Sequence, residues 1–236
     1  MDIRNFFPVV NNNKTCNFFK IDKDGNINRT IIKNEVKQEI LEIKQQPKID
    51  ERESCEVFEK NVIHHIFTDG STFNNNLHES KRHGGVGVYF EHEDIPPISY
   101  TLNNCKISNN VAELTAIKMG IETIIKYHNF NPKDIIKIYS DSQYSIDCFE
   151  KYCKQWERNG WKKYNKGRGT KEIKNIDLIQ VIWGYYNHYK IKFQHIRSHQ
   201  IQPSKESKNY RIWYGNDMAD KLAVKASKIS QLSKYC

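Results

Sequence analysis

From Asn61 onward the chain alternates short apolar runs with longer amphipathic ones, and the order of the two decides its fold class. Val62–Thr68, Val86–Glu91 and Ile98–Leu102 come in succession, set apart by glycines and by the Pro96-Pro97 pair. Short apolar runs bounded by turn formers predict strands, and three in a row predict an antiparallel meander. Residues 110–127 then place Val111, Leu114, Lys118, Ile121 and Ile125 on one helical face. Ile135–Ser140 predicts a buried strand. Residues 142–152 and 175–188 predict helices, Ile191–Ile196 a strand, and Asn216–Leu232 a last helix. The order βββαβααβα, with space for one more helix before residue 170, predicts an α/β domain in which helices pack on a mixed sheet.

Residues 1–60 differ in kind. They carry 11 Lys+Arg and 11 Asp+Glu, so the formal net charge of +9 lies wholly in residues 61–236. Within the charged stretch 32–46, Ile32, Val36, Ile40 and Ile43 have helical spacing, but so short a segment predicts only a marginal helix or disorder. The division predicts a flexible extension over 1–60 and one folded domain over 61–236. A basic domain attracts polyanions such as nucleic acid, with salt-dependent binding. The same charge also fits a soluble protein of high pI. Six cysteines show neither a CxxC pair nor a zinc-like spacing with His, which predicts reduced thiols. No apolar signal segment opens the chain, and no run approaches the ~18 apolar residues of a membrane span. An intracellular, soluble monomer with no membrane partner is expected.

Four acidic residues fall where strands end or helices face the sheet: Asp69, Glu113, Asp141 and Asp220. Clustered carboxylates repel one another unless a cation lies between them. Hard divalent ions take oxygen ligands, and a pair of them suits in-line phosphoryl displacement. Taken singly, each residue has an ordinary reading, as a turn aspartate after a strand or a solvated helical carboxylate. Asp217, three residues before Asp220, competes with it for the last position.

The context of the four narrows this. Ile66-Phe67-Thr68-Asp69-Gly70-Ser71, Ser108-Asn109-Asn110-Val111-Ala112-Glu113-Leu114, Ile138-Tyr139-Ser140-Asp141-Ser142-Gln143-Tyr144 and Gly215-Asn216-Asp217-Met218-Ala219-Asp220-Lys221-Leu222-Ala223 each resemble a motif of type 1 ribonuclease H. They come in the same order and with similar spacing, over residues 62–228. The resemblance implies a ribonuclease H-like fold: a five-stranded sheet with three antiparallel strands, then parallel strands, flanked by helices. It implies an endonuclease that hydrolyses the RNA strand of RNA/DNA hybrids by two-metal-ion catalysis, leaving 5′-phosphate and 3′-hydroxyl ends, and that removes RNA primers or R-loops during DNA replication. Asp69, Glu113, Asp141 and Asp220 match the family's ligands for two Mg²⁺ ions, for which Mn²⁺ can substitute. Asp69 is then the bridge between the ions, and Glu113 also approaches the ribose 2′-hydroxyl. His199 matches a mobile histidine that assists proton movement and product release. The stretch from Gln200 to Gly215 is longer than the family's usual loop; its Tyr210, Arg211, Trp213 and Tyr214 are either substrate contacts or packing for the insertion.

Substrate contacts also follow from the resemblance. Gly70 and Ser71 follow the first catalytic aspartate, and Asn74, Asn75 or Asn76, with Asn75 the preferred choice, belongs to the minor-groove set with Asn109, Asn110 and Gln143. Lys106, Ser108 and Asn175 match a pocket for a DNA-strand phosphate. Trp156, Trp161 and Lys162 lie in a basic, aromatic stretch resembling the family's basic protrusion; such a mixture grips phosphates and lies along sugars. An ordinary charged helix is the plainer reading of that stretch. Met1-Asp2-Ile3-Arg4-Asn5-Phe6-Phe7-Pro8 resembles a sliding-clamp-interaction motif, with Ile3, Phe6 and Phe7 as an apolar plug, although no Gln precedes Ile3. Packing of this segment on its own domain is the other reading. Two alternatives to the main function stay open: another nuclease on the same scaffold, including a module derived from a reverse transcriptase, and a non-catalytic RNA/DNA hybrid-binding module.

Overall fold

A computed structural model describes residues 38, 41, 42, 61–74, 78, 82–102, 106–165, 169–198 and 200–232. The readings made for residues 1–8 and for most of 32–46 lie outside them. Strands β1 (Ile63–Phe73), β2 (His83–Phe90) and β3 (Ile98–Leu102) come first, then helix α1 (Asn109–Ile125) and β4 (Ile135–Ser140). Helix α2 (Gln143–Asp147) runs through a π-helical turn (Cys148–Tyr152) into α3 (Cys153–Arg158). A hairpin of β5 (Lys162–Asn165) and β6 (Gly169–Glu172) precedes α4 (Ile176–His188), β7 (Lys190–His195) and α5 (Tyr210–Leu232).

The main sheet has the order β3-β2-β1-β4-β7, and β5-β6 forms a separate two-stranded sheet. Strands β1, β2 and β3 pair antiparallel; β4 and β7 add in parallel. This is the five-stranded mixed sheet expected from the sequence. Period-two alternation along β1 supplies both faces. Ile66 joins the core built with α1, α2 and α4, whereas Phe67 stacks on Tyr139 at 4.5 Å and meets Ala219 of α5 on the opposite face. A strand buried on both sides explains why residues 66–70 are all buried.

Helix α5 lies unusually close to the sheet, and glycines make that possible. A Cβ on Gly87 would stand 2.0 Å from the Ala219 carbonyl oxygen, and one on Gly85 would stand 2.3 Å from the Ala223 oxygen. Ser99 Oγ donates to the Leu222 carbonyl at 2.9 Å, binding β3 to the same helix.

Several elements differ from the sequence expectation; β1 runs on to Phe73, past the expected Thr68, and β2 begins at His83 and not at Val86. The helix after β4 runs through its π-helical turn into α3, the further helix expected before residue 170, and the β5–β6 hairpin, which was not expected, follows it. Its strands, KKYN and GTKE, are polar and lysine-rich with no apolar alternation, so no strand signal was visible. The turn into it needs two left-handed residues, Gly160 (φ 62°) and Trp161 (φ 59°). Lastly, α5 begins at Tyr210 and not at Asn216, because the aromatic turn Tyr210–Tyr214 packs on the sheet. Ile212 meets the Phe67–Tyr139 cluster, Tyr214 sets its ring edge-on to Tyr89 at 5.8 Å, and Arg211 Nε pairs with Glu91 at 2.8 Å.

The contact at Gly87 is testable. Gly87→Ala should lower stability by about 1–3 kcal/mol or more through overpacking, measured as a lower denaturant midpoint. An unchanged midpoint would contradict the close seating of α5.

Candidate active site

Parallel pairing sets the site. The register aligns Phe67 with Tyr139 and Thr68 with Ser140, so Asp69 and Asp141, one residue further on, emerge side by side at the ends of β1 and β4. Glu113 arrives from a third element. Ser108 caps α1 by accepting from the Val111 amide at 3.3 Å, and the first turns of that helix press on β1 at Gly70. A Cβ on Gly70 would fall 2.4 Å from the Glu113 nitrogen, so only glycine lets the helix carry Glu113 this near to Asp69. The result is a group in which carboxylate oxygens of Asp69, Glu113 and Asp141 lie within 4.8 Å of one another.

Electrostatics sharpen the picture. Burial first, then the charges of Asp141 and Asp220, push the Asp69 carboxyl up to about 7, while the Gly70 backbone amide opposes the shift. Glu113 is only 6% exposed. Burial and the charges of Asp69 and Asp141 hold its carboxyl well above the usual range. Its Oε2 is buried without a hydrogen-bond partner. A buried polar atom left unsatisfied calls for a missing partner. Three convergent carboxylates, one with an orphaned oxygen, form a hard, all-oxygen donor set of the kind that suits Mg²⁺ or a similar divalent cation.

Asp220 stands beside this triad. With Asp141 and Asp217 it lines a cleft of about 100 Å³ whose other wall includes Arg197 and Trp213. The two competing aspartates of α5 have different surroundings. Asp217 is paired with Lys221 one turn on, at 2.6 Å, whereas Asp220 contributes to the repulsion that raises Asp69.

The other expected site residues are spread around this centre. Gly70 is buried, and Ser71 accepts from Ser227 Oγ at 3.2 Å, so both help to seat β1. Asn109 is exposed and accepts from Thr72 Oγ1 at 2.6 Å; Asn110 is half-buried next to it. Gln143 is exposed and donates to Asp147 at 2.7 Å. Lys106 and Lys162 are exposed. Ser108 spends its hydroxyl on the helix cap. Asn175 takes a left-handed conformation (φ 59°) at the start of α4, with its side chain bonded to Tyr144. Trp156 and Trp161 are half-buried, pack against the main core and are joined by a backbone hydrogen bond of 2.6 Å. Much of their ring surface therefore anchors the β5–β6 hairpin. Asn74 is left-handed (φ 59°) after β1. His199, Asn75, Asn76, Ile3, Phe6 and Phe7 lie outside the described residues.

Sequence reasoning missed His195 and Arg197; Trp213, left open as a substrate contact or packing, lines the cleft. His195 Nε2 lies 3.2 Å from the Asp141 carbonyl oxygen. Parallel pairing of β7 with β4 aligns His195 with Ser140, and that register was the signal that would have found it. Among the described residues no helix is long and apolar enough to cross a membrane.

A linkage prediction follows. The folded-state value for Asp69 lies above its unfolded one, so folded chains bind the proton more tightly. Metal-free stability from this group is therefore greatest below about pH 4 and falls as pH rises toward 7. His65 acts oppositely: burial and Arg211 lower it to about 4, so its contribution grows as pH rises from there to 6.5. The effect must accordingly be read as a difference. In EDTA, Asp69→Asn should melt with wild type at pH 4 and several degrees above it at pH 7.5, since about 1 kcal/mol moves the midpoint of a domain this size by ~2–4 °C. Parallel melting curves across this range would contradict the buried repulsion.

Comparison with known proteins places this geometry. The RNase H family profile matches residues 61–228. A probable ribonuclease H of Acanthamoeba polyphaga mimivirus is 32% identical over 145 residues, covering 61% of this chain and 58% of that protein. The ribonuclease H of Schizosaccharomyces pombe is 28% identical over 158 residues, covering 67% and 50%. The chain thus spans little more than half the length of these two relatives. With the ribonuclease H of Orientia tsutsugamushi it shares 29% identity over 175 residues, 72% of this chain and 88% of that one. Among solved structures, LC9-RNase H1 superposes with a TM-score of 0.51 at 18% identity, covering 75% of this chain and 76% of that one. The PFV RNase H domain gives 0.51 at 22%, covering 70% and 94%. These two show the same fold. With the family profile spanning most of the chain, and the four carboxylate-bearing motifs inside the matched segment, the protein belongs to the RNase H family.

Proposed function

We propose that this chain is a divalent-cation-dependent endoribonuclease that cuts the RNA strand of an RNA/DNA hybrid. The observation that carries the reading is the convergent carboxylate triad of Asp69, Glu113 and half-buried Asp141 with its orphaned, buried Glu113 oxygen, within a chain of the RNase H family. Asp69, Glu113, Asp141 and Asp220 hold the cations, with Mg²⁺ the intended metal and Mn²⁺ a substitute. When bound, a pair of such ions supplies Lewis-acid stabilisation of the attacking and leaving oxygens of the phosphodiester.

The remaining work falls to the chain. Asp69, whose carboxyl feels the charges of both Asp141 and Asp220, would be a ligand for a cation bound here. Glu113, buried at the first turns of α1, reaches the ribose 2′-hydroxyl, the group that separates RNA from DNA. Asn109, Asn110 and Gln143 lie at the starts of α1 and α2 and supply amide donors and acceptors for the minor groove, with Asn75 joining them. Lys162 and its neighbours on the exposed hairpin bind backbone phosphates, with Trp156 and Trp161 fixing that hairpin to the core. Lys106, Ser108 and Asn175 serve a phosphate of the DNA strand, and His199 assists proton movement. Products carry 5′-phosphate and 3′-hydroxyl ends, and the cellular targets are RNA primers or R-loops. On sequence grounds alone, we extend the reading to Ile3, Phe6 and Phe7 as a tether to a sliding clamp, in an intracellular, monomeric protein.

The test is strand-resolved cleavage of a labelled RNA/DNA hybrid beside double-stranded RNA, double-stranded DNA and single-stranded RNA, with Mg²⁺ or EDTA. Only the RNA of the hybrid should be cut, and only with the metal. Asp141→Asn should slow cleavage roughly a thousandfold or more, since several kcal/mol of charge stabilisation are lost, while the hybrid is still bound. A hybrid bound but uncut by wild type under all metal and salt conditions would support the non-catalytic binding module instead.

A further inference from the structure

The connection from β7 to α5 passes beside the carboxylates, and hydrogen bonds tie down Ile196, Arg197 and Gln200 at its start. The Ile196 amide donates to the Ser140 carbonyl at 3.0 Å, extending the β4–β7 ladder to the cleft. Gln200 Nε2 donates back to the Arg197 carbonyl at 2.9 Å, closing a local turn. Trp213 Nε1, from the first turns of α5, donates to the Gln200 carbonyl at 3.1 Å. The indole is itself braced, lying 5.7 Å from the Tyr210 ring. Its helical turn is locked to the sheet by Arg211, which bonds both Glu91 and His65.

Arg197 is the cation this arrangement presents. It lines the cleft together with Asp141, Asp217 and Asp220. Among the described residues its guanidinium forms no ion pair. An exposed guanidinium next to an acidic centre meets a phosphodiester without an internal ion-pair partner to displace.

We infer that Trp213 is a positioning residue: through its bond to the Gln200 carbonyl, and the Gln200 side-chain bond to the Arg197 carbonyl, it holds the Arg197 backbone so that Arg197 contacts a phosphate of the scissile RNA strand. The inference rests on the ribonuclease reading and deepens it. It also gives the lengthened 200–215 segment a role, because the extra turn of α5 is what brings the indole to the strap. A fixed guanidinium beside the reacting phosphate acts where charge develops, so its loss lowers kcat more than it raises KM.

The experiment is a double-mutant cycle on the full chain with Trp213→Phe, which keeps an aromatic ring and removes the donor, and Arg197→Ala. Trp213→Phe should lower kcat on the hybrid about tenfold, the effect of one hydrogen bond expressed through position, with KM unchanged. Arg197→Ala should lower kcat at least as much. The double variant should match Arg197→Ala alone, because the pin has nothing left to position. Wild-type kcat in Trp213→Phe, or effects that multiply in the double variant, would overturn the inference while leaving the ribonuclease reading intact. Amide exchange at Arg197, Ser198 and Gln200 reads the pin without turnover: it should quicken in Trp213→Phe, and unchanged exchange overturns the inference. A wild-type chain that leaves the hybrid uncut would instead sink the ribonuclease reading.

Discussion

Repulsion among buried carboxylates is the constraint around which this domain is arranged. Asp69, Glu113 and half-buried Asp141 converge within 4.8 Å, and both burial and mutual charge push the first two toward the protonated state. No hydrophobic core gains from such a cluster. It persists because packing elsewhere overdetermines it: a strand buried on both faces, a helix that is buried along most of its length, and a second helix seated on glycines. The unfavourable electrostatics are relieved only by protons or by a cation, which makes the cluster a site and not an accident of turns.

Close backbone approach is how the fold enforces the arrangement. Gly70 lets α1 deliver Glu113 next to Asp69, and Gly85 and Gly87 let α5 settle on β2, which carries Asp220 to the rim of the cleft. Gly215 serves the same end, since a Cβ there would fall 2.5 Å from the Phe67 ring. The Phe67–Tyr139 stack then ties β1 to β4 just below the two strand-end aspartates. Each of these contacts joins residues far apart in the chain, so the geometry of the site is a property of the whole sheet and not of any one loop.

That long-range character explains what could be read from the sequence. The strands Ile98–Leu102 and Ile135–Ser140 were legible to the residue, because turn formers bound them and their apolar pattern is unbroken. The four carboxylates were legible through their surrounding motifs, but spacing alone left Asp217 and Asp220 as rivals on one helical face; the Lys221 partner of Asp217 distinguishes them only in three dimensions. The β5–β6 hairpin was invisible because its lysines face solvent and leave no alternation. The first turns of α5 were hidden for the opposite reason: Tyr210 to Tyr214 carry so many aromatics that no single helical stripe stands out. His195 and Arg197 acquire meaning only from the register of β7 on β4.

The same physics separates recognition from chemistry. Lys162, Lys163 and Lys171 are exposed on the hairpin and Arg197 at the cleft, while negative charge is gathered at the ends of β1 and β4. The most direct test of this account is a calorimetric Mg²⁺ titration near pH 7, run in two buffers of different ionisation enthalpy, on wild type and Asp69→Asn. The account predicts saturable binding accompanied by proton release from the cluster, with both reduced in the variant. Binding without proton release, or binding indifferent to Asp69, would contradict it.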